Sequence, residues 1–263
     1  MRRMKMMGLC LVALFALTAV AVSSASAASP AFYECAKLAK NPTTKKYEGK
    51  YSVKTCATEA SPTEQTEGKK NKYELKEGIG KGKQFKGKGG AATLHTPAVS
   101  GEVTCKSFKD AGFINSPTTE NKVVSEFKTC TSIGKKCMSP GQKAGTIKTN
   151  PLKGELGYIS KSPLKVGVVL SPESGSVLAE FNCEGLTVVT SGSVIGEQKG
   201  DINVFSKSSE NVFTVTGGGV QTVTKFEGGA THVLESVING SGPFESGQQA
   251  EAANKGEELE IKA

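Results

Sequence analysis

The chain has 263 residues, 37% hydrophobic and 22% charged, with 31 Gly, 7 Cys, no Trp and a formal net charge of +8. Arg2 and Arg3 are its only arginines, so beyond residue 27 all fixed positive charge is lysine. Lysine lacks the rigid fork that grips guanine and phosphate bidentately, which argues against sequence-specific nucleic-acid reading and leaves only looser contact with polyanions.

The first 27 residues read as a secretory signal peptide. Arg2, Arg3 and Lys5 precede an apolar run over residues 9–22, and Ala25-Ser26-Ala27 supplies the small residues of a cleavage site before Ala28. Fourteen apolar residues fall short of the roughly 20 that cross a bilayer. Leu9 stands before Cys10, where a lipoprotein signal needs a small residue. The expectation is a secreted, extracellular product without a membrane span. Its mature part, residues 28–263, is only about one-third hydrophobic, which is thin for a self-sufficient core.

Residues 28–39 read as a short helix that Asn41-Pro42 would end. Residues 28–90 carry 14 Lys against 7 Glu, whereas residues 91–263 carry 16 Lys against 18 acids. The densest basic stretch is residues 81–90, with Lys81, Lys83, Lys86 and Lys88 among glycines and no acid. Glycine makes such a stretch flexible and lysine keeps it solvated, so it reads as a loop or linker. Its sharper reading is a contact strip of Lys81, Lys83, Lys86 and Lys88 for an anionic surface polymer. The implied division is a Lys-rich N-terminal segment and linker over 28–90 and a β-rich domain over 91–263.

From residue 91 onward short apolar runs alternate with turns. Leu164, Val166, Val168 and Leu170 alternate with Lys165, Gly167 and Val169, and Ser171-Pro172-Glu173-Ser174-Gly175 turns the chain into a strand over 177–183. Further strands are expected over 122–130, 146–149, 156–159, 186–190, 193–195, 211–216, 220–226, 231–238 and 259–262. Turn residues recurring about every 8–12 positions, with abundant Val and Thr, predict an all-β sandwich or barrel of short, mostly antiparallel strands. A small disulfide-stapled N-terminal segment precedes it.

Six cysteines follow the leader: Cys35, Cys56, Cys105, Cys130, Cys137 and Cys183. An even count in an exported chain predicts three disulfides, with 15 conceivable pairings. Spacing favours Cys35–Cys56, which would staple a polar segment, and Cys130–Cys137 across a turn at Gly134. Cys105–Cys183 remains, both on core-facing strand phases. No paired C-x-x-C knuckle supports zinc.

Phe32-Tyr33-Glu34-Cys35, residues 85–92 (FKGKGGAA), Val103-Thr104-Cys105-Lys106-Ser107, residues 154–159 (GELGYI) and Ala179-Glu180-Phe181-Asn182-Cys183 together give the chain a resemblance to a group of secreted proteins of soil actinobacteria. The resemblance implies export and a bacterial source. It brings no activity, cofactor or catalytic residue.

Candidate chemistry is sparse. The histidines are His95, read as a loop residue, and His232, which shares a strand face with Leu234 and Ile238. Asp110 and Asp201 are the only aspartates, and no G-x-S-x-G elbow sits between strand and helix. Glu155, Glu180 and Glu184 lie in the strand-rich middle, where paired carboxylates could serve a glycosidase. No metal or nucleotide motif is present, and no cofactor is expected. The sequence therefore favours a binding or structural protein of the envelope or extracellular space. The alternative is a secreted hydrolase of glycans, esters or peptides using Glu155, Glu180 or His232.

Overall fold

The computed structural model describes residues 29–78, 82–99, 101–200 and 202–263, so the expected leader and Lys81 lie outside the described residues. The chain begins with β1 (Ala31–Lys37), the short helix α1 (Pro62–Glu67), β2 (Tyr73–Glu77), β3 (Lys83–Gly89), β4 (Ala92–His95), β5 (Val103–Cys105), β6 (Ser107–Ile114) and β7 (Thr119–Lys128). Next come β8 (Thr131–Ser132), β9 (Lys135–Lys136), β10 (Thr146–Lys148), β11 (Leu152–Lys161), β12 (Leu164–Pro172) and β13 (Val177–Asn182). The last five are β14 (Thr187–Gly192), β15 (Val194–Lys199), β16 (Ser206–Phe213), β17 (Leu234–Ile238) and β18 (Ser241–Lys262). The all-β expectation holds.

Eight of these strands close into an antiparallel barrel. Going round it, β7 pairs with β11, β11 with β12, β12 with β15 and β15 with β16. From there β16 pairs with β18, β18 with β3, β3 with β6, and β6 returns to β7. Each of these eight strands therefore has a hydrogen-bonded neighbour on both sides. Period-two alternation turns Val166 and Val168 of β12, Leu152 and Leu156 of β11 and Phe85 of β3 into one core, while Phe108, Val194, Phe213 and Ala252 form a second layer. Each fully buried large side chain of this kind contributes roughly 1.5–3 kcal/mol.

A second ring stands at one end of the barrel and shares its longest strand. β13 pairs with β14, β14 with β17, and β17 with the start of β18. The middle of β18 pairs with β4, followed by β5, β8 and β9. A single bridge, Met138 to Asn182, joins this run back to β13. The hydrogen-bond ladder is thinnest here: β5 and β8 share only the Thr104–Thr131 pair.

That thin seam carries two of the three disulfides. Cys35–Cys56 is paired as expected, but the other bonds are Cys105–Cys130 and Cys137–Cys183, which corrects the expected Cys130–Cys137 and Cys105–Cys183 pairs. The registers Thr104–Thr131, Thr131–Lys136 and Met138–Asn182 place the four cysteines in one row across neighbouring strands. Cys137 N–H donates to Cys130 O at 2.9 Å, which makes those two a hydrogen-bonded pair with their Cα atoms held further apart. The flanking pairs approach to 4.0 Å between Cα atoms, and the sulfurs bond there.

Three further expectations change. Residues 31–37 form a strand, not a helix, because β1 finds hydrogen-bonding partners on two sides, β2 and the end of β18. Residues 83–89, expected as linker, form β3 in the barrel wall between β6 and β18. Their Lys-Gly alternation is a strand pattern in which glycine replaces the apolar inward residue. A Cβ on Gly89 would stand 2.1 Å from the Phe108 ring, so the inward face has no room for one. The strands on either side of residue 90, β3 and β4, both pair with β18. Residues 220–226 make only isolated bridges, Val215–Gln221 and Lys225–Thr231.

Candidate ligand site in the barrel lumen

Barrel strands of this number leave an interior that side chains fill or that holds one small ligand. Here the interior is incompletely filled. A cavity of about 100 Å³ is walled largely by apolar side chains, including Phe85, Val123, Leu152 and Val168. A second space of about 80 Å³ continues toward the end covered by Phe32 of β1. Phe85, Glu120, Val168, Asn211 and Asn254 line both. One water needs roughly 10–15 Å³, so the lumen has room for several waters or a compact organic molecule.

A polar girdle crosses this otherwise oily interior. Asp110 of β6 and Asn254 of β18 lie opposite Gly87 of β3 on its two sides. Both side chains lean over the glycine: a Cβ there would meet Asp110 Oδ1 at 1.6 Å and Asn254 Oδ1 at 2.1 Å. Those two oxygens are therefore within 4 Å of each other. Neither has a hydrogen-bond partner, nor has Asn211 Oδ1 on β16. Asn254 is 6% exposed. Buried acceptors without donors are costly, on the order of 1–3 kcal/mol each.

Glu120 completes the girdle through a bulge. On β7, Val123 pairs with Leu152 and Glu120 with Gly154, so residues three apart face the same way. Lys122, with φ 50°, absorbs the extra residue. Gly154 leaves the space its carboxylate fills, since a Cβ there would lie 2.8 Å from Glu120 Oε2. Burial, then the nearby Asp110 charge, pushes the Glu120 carboxyl up to about 8. Burial likewise raises Asp110 to about 6.

The sequence-derived candidates fall elsewhere. Lys86 and Lys88 are exposed on the outer wall of β3. Lys83 faces the other way, lines the lower lumen and lies 3.8 Å from Glu34, so it does not share a face with Lys86 and Lys88. On the outer wall Lys86 stands opposite Lys255 and Lys88 opposite Lys109. Glu155 and Glu180 occupy exposed positions on β11 and β13, in different rings, and are not brought together. Glu184 accepts from the Lys136 backbone N–H at 3.2 Å. His232 Nδ1 lies 2.9 Å from Ser193 Oγ, and no carboxylate bonds to the ring among the described residues. His95 ends β4 and pairs with Glu102 at 2.7 Å.

Sequence reasoning missed Asp110, Glu120, Asn211 and Asn254. Strand phase is a usable signal for Asp110, which alternates with Phe108 and Gly112, but a bulge hides Glu120. Comparison with protein-family models, curated proteins and solved structures finds no match.

Proposed function

We propose that the chain is an exported binding protein that holds a small molecule in the lumen of its eight-stranded barrel. The observation that carries this reading is the polar girdle of Asp110, Glu120, Asn211 and Asn254 facing a partly empty apolar interior. A core built only for stability fills its space and pairs its polar atoms. An apolar cavity with a few converging polar groups is the usual form of a small-molecule site. Export is supported by the leader-like residues 1–27 and by three disulfides, which persist in oxidising compartments. No helix among the described residues is long and apolar enough to cross a membrane.

The test is saturable binding of compact organic molecules to residues 28–263, read by calorimetry. Ala252 lines the cavity and is 2% exposed, so Ala252→Phe fills the site. Binding present in the parent and lost in a folded Ala252→Phe supports the reading. No saturable binding by a panel of six-carbon amines, alcohols and acids overturns it.

A second reading, contact with an anionic polymer, has its own observation. Lys86–Lys255 and Lys88–Lys109 face each other as like charges on the outer wall, and none of the four makes a salt bridge among the described residues. Such pairs disfavour the sheet unless an anion lies across them. The contact set is then Lys86, Lys88, Lys109 and Lys255. Binding of polyaspartate that weakens steeply with salt and disappears in the fourfold Lys→Gln variant, but survives Lys83→Gln, supports it. Equal binding by the fourfold variant removes it.

A further inference from the structure

The wall of the larger cavity holds two carboxylic acids, Asp110 and Glu120, and no Lys, Arg or His among its described residues. The lysines lie beyond the girdle, at the rim of the lower space: Lys83, Lys199, Lys207 and Lys255, the last with its side chain on the outer wall. Two of them are engaged, Lys83 near Glu34 and Lys199 with Glu197 at 2.7 Å. Lys207 and Lys255 are exposed. No salt bridge reaches Asp110 or Glu120 among the described residues.

Asn254 adds an independent observation. It is 6% exposed, lines both spaces, and its Oδ1 has no donor. Asn254 Oδ1 and Asp110 Oδ1 are two acceptors within 4 Å, an arrangement that calls for a proton between them. A half-turn of the Asn254 amide supplies one. Its N–H then donates to Asp110, and its oxygen turns toward the lumen as one more acceptor. In either orientation the unpartnered girdle atoms are oxygens, and no cation stands among them. A ligand that fits must bring N–H donors and positive charge to the girdle and an apolar body to the wall.

We propose that the lumen ligand is a compact organic amine, its ammonium seated between Glu120 and Asp110 and its apolar body against Phe85, Val123, Leu152 and Val168. As the ammonium enters, Glu120 gives up its proton to solvent, and charge-assisted hydrogen bonds from an ammonium to carboxylates are about twice as strong as neutral ones, strengthened further by the water-poor wall. A carboxylate ligand would add a third acid to the girdle. A neutral alcohol can bring one donor but no charge. This inference rests on the lumen reading above and names the chemistry of its ligand.

The experiment uses residues 28–263 and three molecules of one chain length, hexylamine, hexanol and hexanoate, with dissociation constants from calorimetry at pH 7. Hexylamine is expected to bind at least tenfold more tightly than hexanol, and hexanoate not measurably. In Glu120→Gln and, separately, Asp110→Asn, the amine preference is expected to fall at least fivefold while hexanol binding persists, which shows an intact cavity. Equal affinity for hexylamine and hexanol, or preference for hexanoate, overturns the amine while leaving a lumen site standing. Failure of all three to bind overturns both. Persistence of the amine preference in both variants also overturns the assignment, because the ammonium would then sit elsewhere.

Discussion

Glu120 is the residue whose behaviour tests the lumen most directly. Its folded carboxyl is raised from the ordinary 4.5 to about 8, so the folded state holds a proton that the unfolded chain gives up near pH 4.5. Its contribution to stability is therefore complete at low pH and is lost as pH rises through about 8. Asp110, raised from 3.8 to about 6, acts in the same sense over a lower window. Chemical denaturation at pH 5, 7 and 9 should show stability falling by a few kcal/mol, on the order expected for shifts of this size. Glu120→Gln should flatten the upper part of that slope and be more stable than the parent at pH 9. A parent curve rising from pH 5 to 9 would contradict the placement of this carboxyl. None of this was legible from residue 120 alone. Strict alternation from Val123 puts Asn121 inside and Glu120 outside, and only the extra residue at Lys122 reverses them.

Strand β3 shows how an element hides in its composition. Its outward positions are Gln84, Lys86 and Lys88 and its inward ones Lys83, Phe85, Gly87 and Gly89, so Phe85 is its only hydrophobic residue and none is β-branched. The glycines are inward because Asp110 and Phe108 of β6 occupy the space above them, a relation set by tertiary pairing. Gly89→Ala should therefore destabilise the fold by about 1–3 kcal/mol through overpacking against Phe108. Gly90→Ala, one residue on and with open space around it, should change stability by less than about 0.5 kcal/mol. Thermal or denaturant unfolding of the two variants separates strand from linker. By contrast β12 was legible, since its apolar residues alternate over seven positions. Cysteine spacing identified Cys35–Cys56 but could not identify the row of four, because which neighbours bond depends on hydrogen-bond register. Peptide mapping of the unreduced chain should recover Cys105–Cys130 and Cys137–Cys183. Replacing Cys137 and Cys183 together by Ser should cost about 2–4 kcal/mol, with the loss concentrated in the small ring.

At the scale of the molecule, the all-β class was readable from turn rhythm, whereas closure was not. Closure depends on β18, whose 22 residues have successive partners in β17, β4, β16, β3 and β1. The sequence of that strand is rich in Glu, Gln, Ala and Lys, with few residues favoured in strands. Its conformation is imposed by neighbours on two edges. Removing residues 250–263 should abolish the cooperative thermal transition, because the barrel wall would open between β16 and β3. A truncated chain that still melts cooperatively near the parent temperature would show that the barrel does not depend on this strand.

The place of β18 in both rings also sets an order of events. Neither ring closes until residues 241–262 have docked, so before that step the other strands stand as open sheets with bare edges. A chain of this design is prone to clumping while it folds. Under oxidising conditions, thiols that react before β18 docks can join the wrong partners, because the register that selects Cys105–Cys130 and Cys137–Cys183 is set within the small ring that β18 closes. A thiol-exchange catalyst should therefore raise the yield of correctly bonded protein on refolding.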